Sequence, residues 1–310
     1  MKKLGYALCL LLAATSSASA LELGFSGMAR MTGDSYLVVQ DKKVFETGDR
    51  VGIFQLSADG QQHYTPLQID NWRDPDGPSS DLESVCQLPG SQNQYLLAES
   101  GYWDGKFGRI FRVELNGTQA NVLQVYHVPK LIPSGKGKHG DNFEGMLCAK
   151  MGANTLVILG ERGGSKAYRH GVLRIGVLQP TSIDWQHYAE QAVKVKAPKS
   201  WRTAKYRSIS DLYLDNDGII WAVATQDAGD NGPFRSVVYA AARLAQNSSK
   251  TPLEALKHAA AAWPIDGFKV EALAAPNVNV PGSVMSIGTE DEHFGGVWRP
   301  LFPSQNGTDD

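Results

Sequence analysis

Three glutamates, Glu83, Glu144 and Glu271, each open a short apolar run, and Ser26 and Ser210 occupy the same phase of two further runs. Successive members of this set are 57, 61, 66 and 61 residues apart. Carboxylates and hydroxyls offer only hard oxygen donors. If the fold gathers these five residues about one axis, the carboxylates must take up protons or a cation to relieve their repulsion. Oxygen-only donors suit Ca2+ best, with Mg2+ and Mn2+ as the other candidates. The alternative is a polar, water-filled channel whose glutamates hydrogen-bond to neighbouring elements. Asp211 replaces Ser210 if the phase is off by one residue.

A second acidic set follows the first by 15 to 20 residues: Asp41, Glu99, Glu161, Asp227 and Asp291. Cations and histidines lie in the adjoining segments, at Arg109, Arg162, Lys166, Arg169, His170, Arg235 and His293. Around a metal, such a rim could hydrolyse an ester. Glu99 or Glu161 would position water, and Arg109 or Arg162 would offset the charge developing on oxygen. For each cation taken alone, a solvated loop is the better reading. The segment "SGKGKHGDN", Ser134 to Asn142, could cradle phosphate through backbone N–H groups, but it lacks the GxxxxGK[ST] spacing and also reads as a surface loop. No GxSxG, HExxH or Cys-x-x-Cys occurs, and no His/Cys cluster of zinc type.

The elements that must position these residues repeat along the chain. Each unit has a polar opening, a short strand, a Gly/Asn/Pro turn, and a second strand such as "YLLAES", "TLVILGE", "IIWAVATQD" or "SIGTED". A polar loop and a third strand such as "GRIFRVEL" or "HGVLRIGV" follow. β-Branched and aromatic residues with turn signals at this spacing predict antiparallel hairpins. Five such units predict an all-β, five-bladed β-propeller, in which radial packing covers faces that no blade can cover alone. A two-sheet sandwich would not repeat polar residues at one phase. One short helical insertion is expected at "TPLEALKHAAAAW", with Thr251 as N-cap, Pro252 at N1 and Glu254 at N3. The fifth unit has no obvious outer strand, and "LELGF" near the N-terminus could supply one.

Residues 1–20 read as a signal peptide: Lys2 and Lys3, an apolar stretch from Leu4 to Ala14, then Ala18-Ser19-Ala20 as a cleavage site. Residues 21–303 form a single propeller domain on this reading, with a disordered tail at 304–310. The protein is then expected in the periplasm or secreted. Removing two of the 30 basic residues leaves 28 against 32 acidic ones, a formal charge of −4. That is no footprint for nucleic acid, and no run is long enough for stable membrane insertion. Cys86 and Cys148 remain in an oxidising setting and could pair.

The segments "FSGMARM…YLVVQD", "DLESVCQLPG…YLLAES", "HGDNFEGMLCAKMGANTLVILGE", "SISDLYLDNDGIIWAVATQD" and "KVEALAAP…SIGTED" resemble the phytase-like ("esterase-like activity of phytase") propeller family. They cover most of the mature chain. The Ser, Glu, Glu, Ser, Glu order more distantly resembles the five-bladed calcium-activated apyrases. That resemblance implies Ca2+ at Ser26, Glu83, Glu144, Ser210 and Glu271. The second unit reads Glu-Ser and the fifth Glu-Ala, departing from Glu-Gly.

Three functions follow as expectations. The first is a metal-dependent phosphoester or ester hydrolase with a small-molecule or phosphorylated substrate. The second is a non-catalytic binding or scaffold propeller with structural Ca2+, which leaves room for a protein partner. The third is a lactonase-type hydrolase, for which His170 or His293 would stand over the metal.

Overall fold

The computed structural model describes residues 23–103, 106–130, 142–163, 170–201, 206–226, 228–245, 251–256 and 261–304. The expected signal peptide, the tail beyond Ser304, the body of "SGKGKHGDN", Lys166, Arg169 and Asp227 lie outside the described residues.

The middle strand of every blade is largely buried and mostly apolar, because a blade sandwiched between two others buries both its faces. In blade 1 the strands are Gly27–Arg30, Ser35–Val39, Val51–Leu56 and Gln62–Pro66, from the axis outward. Blade 2 comprises Leu82–Gln87, Gln94–Glu99, Arg109–Asn116 and Gln119–His127. In blade 3, Phe143–Met151, Asn154–Glu161 and Gly171–Leu178 are edged by Ile183–Asp184 and Val193–Val195. Blade 4 has Arg207–Leu214, Ile219–Gln226 and Arg235–Leu244. Blade 5 has three strands, Val270–Ala274, Met285–Thr289 and Trp298–Leu301. The innermost strands touch in chain order, and the fifth touches the first, so the ring closes with five blades.

Side-chain alternation along the middle strands builds one apolar core per junction. In blade 1, Leu37 and Val39 pack toward blade 2, while Tyr36 and Val38 pack toward blade 5. Tyr95 and Leu97 share the junction with blade 1, and Leu96 and Ala98 face blade 3. Val157 and Leu159 meet them there, whereas Leu156 and Ile158 face blade 4. Val223 and Val238 join Val270 and Ile287 at the fourth junction. The Cys86–Cys148 disulfide ties the innermost strands of blades 2 and 3, with Cα atoms 5.6 Å apart.

Two expectations fail. The helical insertion is absent: Leu253–Ala255 and Ala261–Asp266 are strands that pair with the long strand Arg235–Leu244, and residues 257–260 are not described. The open edge of that strand offers backbone partners, and tertiary pairing overrides the helix propensity of the alanines. Among the described residues the only helical elements are single 3-10 turns. Of "LELGF", the described residues 23–25 form no outer strand of blade 5. Leu23 and Phe25 are buried, and the Phe25 N–H donates to the Thr289 carbonyl (3.1 Å) at the end of the middle strand. The blade 5–blade 1 seam is instead held by side chains: Tyr36 Oη with Ser286 Oγ at 2.8 Å, and Asn279 Nδ2 to the Leu56 carbonyl at 2.7 Å.

Candidate functional site

Each glutamate of the sequence set sits at a β-bulge. Register slips between Leu82 and Ser84, between Phe143 and Gly145, and between Val270 and Ala272 leave Glu83, Glu144 and Glu271 as the unpaired residues. A bulge re-aims a side chain, and here the carboxylates converge at the end of the channel where the innermost strands begin. In blade 4 the irregular stretch is longer, between Arg207 and Asp211, and includes Ser210.

The residue after each opening explains the Glu-Gly signature and its exceptions. A Cβ on Gly145 would lie 2.9 Å from the Leu212 backbone nitrogen, and one on Gly27 would lie 2.8 Å from Ser84 Cα. Neighbouring innermost strands therefore need a small residue at this position, and Ser84 and Ala272 also meet that need. Asp211 is the exception, and its buried carboxylate accepts the Leu273 N–H of blade 5 (2.6 Å). Burial holds the Asp211 carboxyl well above its usual range, against the hydrogen bonds it accepts from Leu273 and Leu212.

The ring that forms differs from the expected set at two places. Arg207 Nη1 reaches Glu144 Oε2 (3.2 Å) and Glu271 Oε1 (3.0 Å), so a guanidinium stands on the blade 4 side of the mouth. Arg162 Nη1 holds the other oxygen of Glu144 at 3.0 Å. Lys269 Nζ lies 3.1 Å from Glu271, 3.5 Å from Glu290 and 2.5 Å from Glu292. On the blade 1 side Asp41 takes part, its N–H donating to Ser26 Oγ (3.1 Å). Ser210 Oγ is buried and has no hydrogen-bond partner among the described residues.

Acid outnumbers base between blades 1 and 2. Single carboxylate oxygens of Asp41, Asp81 and Glu83 all lie within 4.8 Å of one another. Lys43 pairs with Asp81, which also accepts Ser100 Oγ at 2.5 Å. No ion pair or hydrogen bond from a described side chain reaches Glu83. Burial, then the charges of Glu144, Asp81 and Asp41, push the Glu83 carboxyl well above its usual range. Asp41 is raised by burial too, against a hydrogen bond with Glu290 and the charge of Lys43. Glu290 is raised by burial and by its hydrogen bond with Glu271. For Glu271, burial is outweighed by that hydrogen bond and by Lys269 and Arg207, so its carboxyl sits low. Asp81 adopts a left-handed φ of 67°, a conformation that costs a non-glycine residue free energy and gathers at functional sites. Beside this cluster a cavity of about 250 Å³ is lined by Asp41, Glu290, Glu292 and His293 among others.

Three hard, crowded carboxylates match a divalent cation by donor type, and the orphaned Ser210 hydroxyl leaves another oxygen near the axis. Asp41, Asp81 and Glu83 would hold such a cation. Glu144 and Glu271 are already neutralised by side chains, so the five-member set does not stand free for one ion.

The rim residues nominated for catalysis are placed differently from one another. Glu99 and Arg109 have fully enclosed side chains, 2.6 Å apart, and Arg109 also binds Asp74 and the carbonyls of Gly77 and Pro78. Both are interior groups, out of reach of a dissolved substrate, because the blade 2 loop 70–81 folds over them. Glu161 is buried and paired with Arg174. Asp291 clamps the Lys269 N–H and Thr289 Oγ1, both at 2.6 Å. Arg235 stacks on Trp201 and pairs with exposed Asp266, away from the acids. His170 is exposed. Of the nominated four, Arg162 is the one whose pairing with a mouth glutamate is seen directly, at Glu144. The sequence reading missed Asp81 and Lys269, which each lie two residues before a glutamate of the set, just ahead of the strand that carries it. Arg207 gave no comparable signal, since it precedes Ser210 by three residues across an irregular stretch.

No family model and no curated protein matches the sequence. Solved structures of similar shape include a GH43 β-1,3-galactosidase with galactodeoxynojirimycin (TM-score 0.49, 10% identity, 89% of this chain and 90% of that one). Others are an exo-1,5-α-L-arabinanase from a bovine ruminal metagenomic library (0.48, 10%, 89% and 92%) and an endo-arabinase from Bacteroides thetaiotaomicron (0.41, 9%, 88% and 91%). At these scores the likeness carries no argument about activity, and the blade count rests on strand pairing alone. The resemblance to phytase-like and apyrase propellers is neither supported nor overturned.

Proposed function

We propose that this chain is an exported propeller that binds a divalent cation, Ca2+ by donor type, and hydrolyses a small ester or phosphoester at the channel mouth. One observation carries the reading: Asp41, Asp81 and Glu83 bring carboxylate oxygens within 4.8 Å of one another, and Lys43 is the one cation paired there among the described residues. A cation bound there would supply Lewis acidity toward a carbonyl or phosphoryl oxygen. Glu290, Glu292 and His293 line the adjoining cavity and could hold or move a proton beside it. The disulfide supports export, since such bonds persist in oxidising compartments.

A second reading, a binding propeller whose cation is structural, is favoured by a specific observation. Glu99, Arg109 and Glu161 are committed to internal ion pairs, which leaves few free groups for chemistry. Thermal melts in EDTA and then in Ca2+, Mg2+ or Mn2+ separate the outcomes. A ligand bound only to the folded state adds about 2.7 kcal/mol at a hundredfold excess over Kd. A rise that Glu83→Gln abolishes supports the cation site, and ester, lactone and phosphoester turnover then supports the hydrolase. A rise without turnover favours the binding reading, and no rise with any cation overturns both.

A further inference from the structure

The mouth is electrically two-sided. Asp41, Asp81 and Glu83 crowd the junction of blades 1 and 2, while Arg162 and Arg207 meet at the junction of blades 3 and 4. The two guanidiniums grip opposite oxygens of one buried carboxylate, Glu144, at 3.0 and 3.2 Å. They therefore lie side by side with a shared anchor beneath them.

Arg162 is fixed at the backbone as well. Its carbonyl accepts the Ser208 and Ile209 N–H groups (2.7 and 3.2 Å), and its N–H donates to the Asn142 carbonyl (3.1 Å). The side chains of Arg162 and Arg207 remain 27% and 23% exposed. Arg162 Nε and Nη2 donate to no described residue. A fixed, partly open guanidinium beside a second one is a fork that matches the paired oxygens of a carboxylate or phosphate. Holding such a pair in place through Glu144 before a ligand arrives lowers the ordering cost of binding.

We propose that Arg162 and Arg207 form a clamp for an oxyanion group, so that the substrate is a small molecule carrying a permanent phosphate or carboxylate. This deepens the hydrolase reading and rests on it for the reaction, though not for the binding. The anionic group would sit on the arginine side and the scissile ester toward Asp41, Asp81 and Glu83. The field between the two sides would orient the ligand.

The test is calorimetric titration of the full chain in EDTA with inorganic phosphate, phenyl phosphate and benzoate. Saturable binding of at least one probe is expected, weakened about tenfold or more by Arg162→Gln and partly restored by Arg162→Lys, which keeps the charge but not the fork. A tighter phosphate than benzoate points to a phosphoester, and the reverse to a carboxylate-bearing ester. Circular dichroism confirms that each variant is folded. The clamp is overturned if no probe saturates, if Arg162→Gln binds like wild type, or if the remote control Arg299→Gln weakens binding equally. Cation melts fail independently: a protein that titrates phosphate but ignores all divalent cations keeps the clamp and loses the metal reading.

Discussion

Replacing Arg109 by methionine tests whether the blade 2 rim is architecture or chemistry. Arg109 and Glu99 are both fully enclosed. Without the guanidinium, Glu99 keeps only the backbone donors of Ser80 and residue 109, each at 2.8 Å. The carbonyls of Gly77 and Pro78 lose donors that now sit at 2.9 Å. Breaking a buried pair by removing one partner costs about 3–5 kcal/mol, because the surviving charge is left uncompensated. Orphaned carbonyls push the total toward the upper end. In a domain of this size that lowers Tm by on the order of 10 °C. Urea unfolding followed by circular dichroism measures it, with an unchanged m-value as the check that the unfolded state is the same. Adding Glu99→Gln in the same chain removes the stranded charge and recovers about 1–3 kcal/mol, a coupling typical of residues in one network. An oxyanion-stabilising arginine behaves in the opposite way, keeping its melt and losing turnover. A cost under about 1 kcal/mol, or no recovery in the double variant, would refute the buried-pair account.

The raised carboxyls at the mouth give a signed pH dependence. Glu83, Asp41, Glu290 and Asp211 bind protons more tightly folded than unfolded. Stability of the cation-free protein is thus fully present below the unfolded carboxylate pKa of about 4 and falls as pH rises through the folded values. Glu271, held low, acts oppositely in more acid solution. Urea midpoints in EDTA at rising pH, which should decline and be restored by Ca2+, check the sign. The disulfide closes a sequence separation of 62 residues, worth about 4 kcal/mol on a chain-entropy basis. Cys86→Ser with Cys148→Ser should lower the melt accordingly, and an unchanged melt would show the bridge idle. Gly145→Val should cost about 1–3 kcal/mol by overpacking, since its Cβ already meets the Leu212 backbone at 2.9 Å. A variant as stable as wild type would mean that blades 3 and 4 separate freely.

The blade count was legible because burial on both faces forces the middle strands into apolar runs, and a polar residue at constant phase marks each bulge. The helix misreading shows the limit of local signals. Thr251, Pro252 and the alanines favour a helix on their own, but the exposed edge of Arg235–Leu244 sets the outcome. The site divides in the same way. Glu83, Glu144 and Glu271 are visible because they recur, whereas Arg207 occurs once and so carries no periodic mark. It is nevertheless the residue that decides the electrostatics. By bridging Glu144 and Glu271 it joins Arg162 and Lys269 in neutralising the blade 3–5 side of the ring and leaves blades 1 and 2 acidic. A symmetric ring would centre a cation on the axis, where it could organise the fold. One arginine displaces the vacant charge toward Asp41 and Asp81, beside a cavity of about 250 Å³. Arg207→Met separates these arrangements. With that guanidinium gone, Glu144 keeps Arg162 and Glu271 keeps Lys269, but each loses one positive partner, so cation affinity should rise and Glu144→Gln should then weaken it. In the wild-type protein, Glu144→Gln should leave cation affinity nearly unchanged and Glu83→Gln should remove it. If Glu144→Gln abolishes binding in wild type, the cation lies on the axis and the off-centre assignment is wrong.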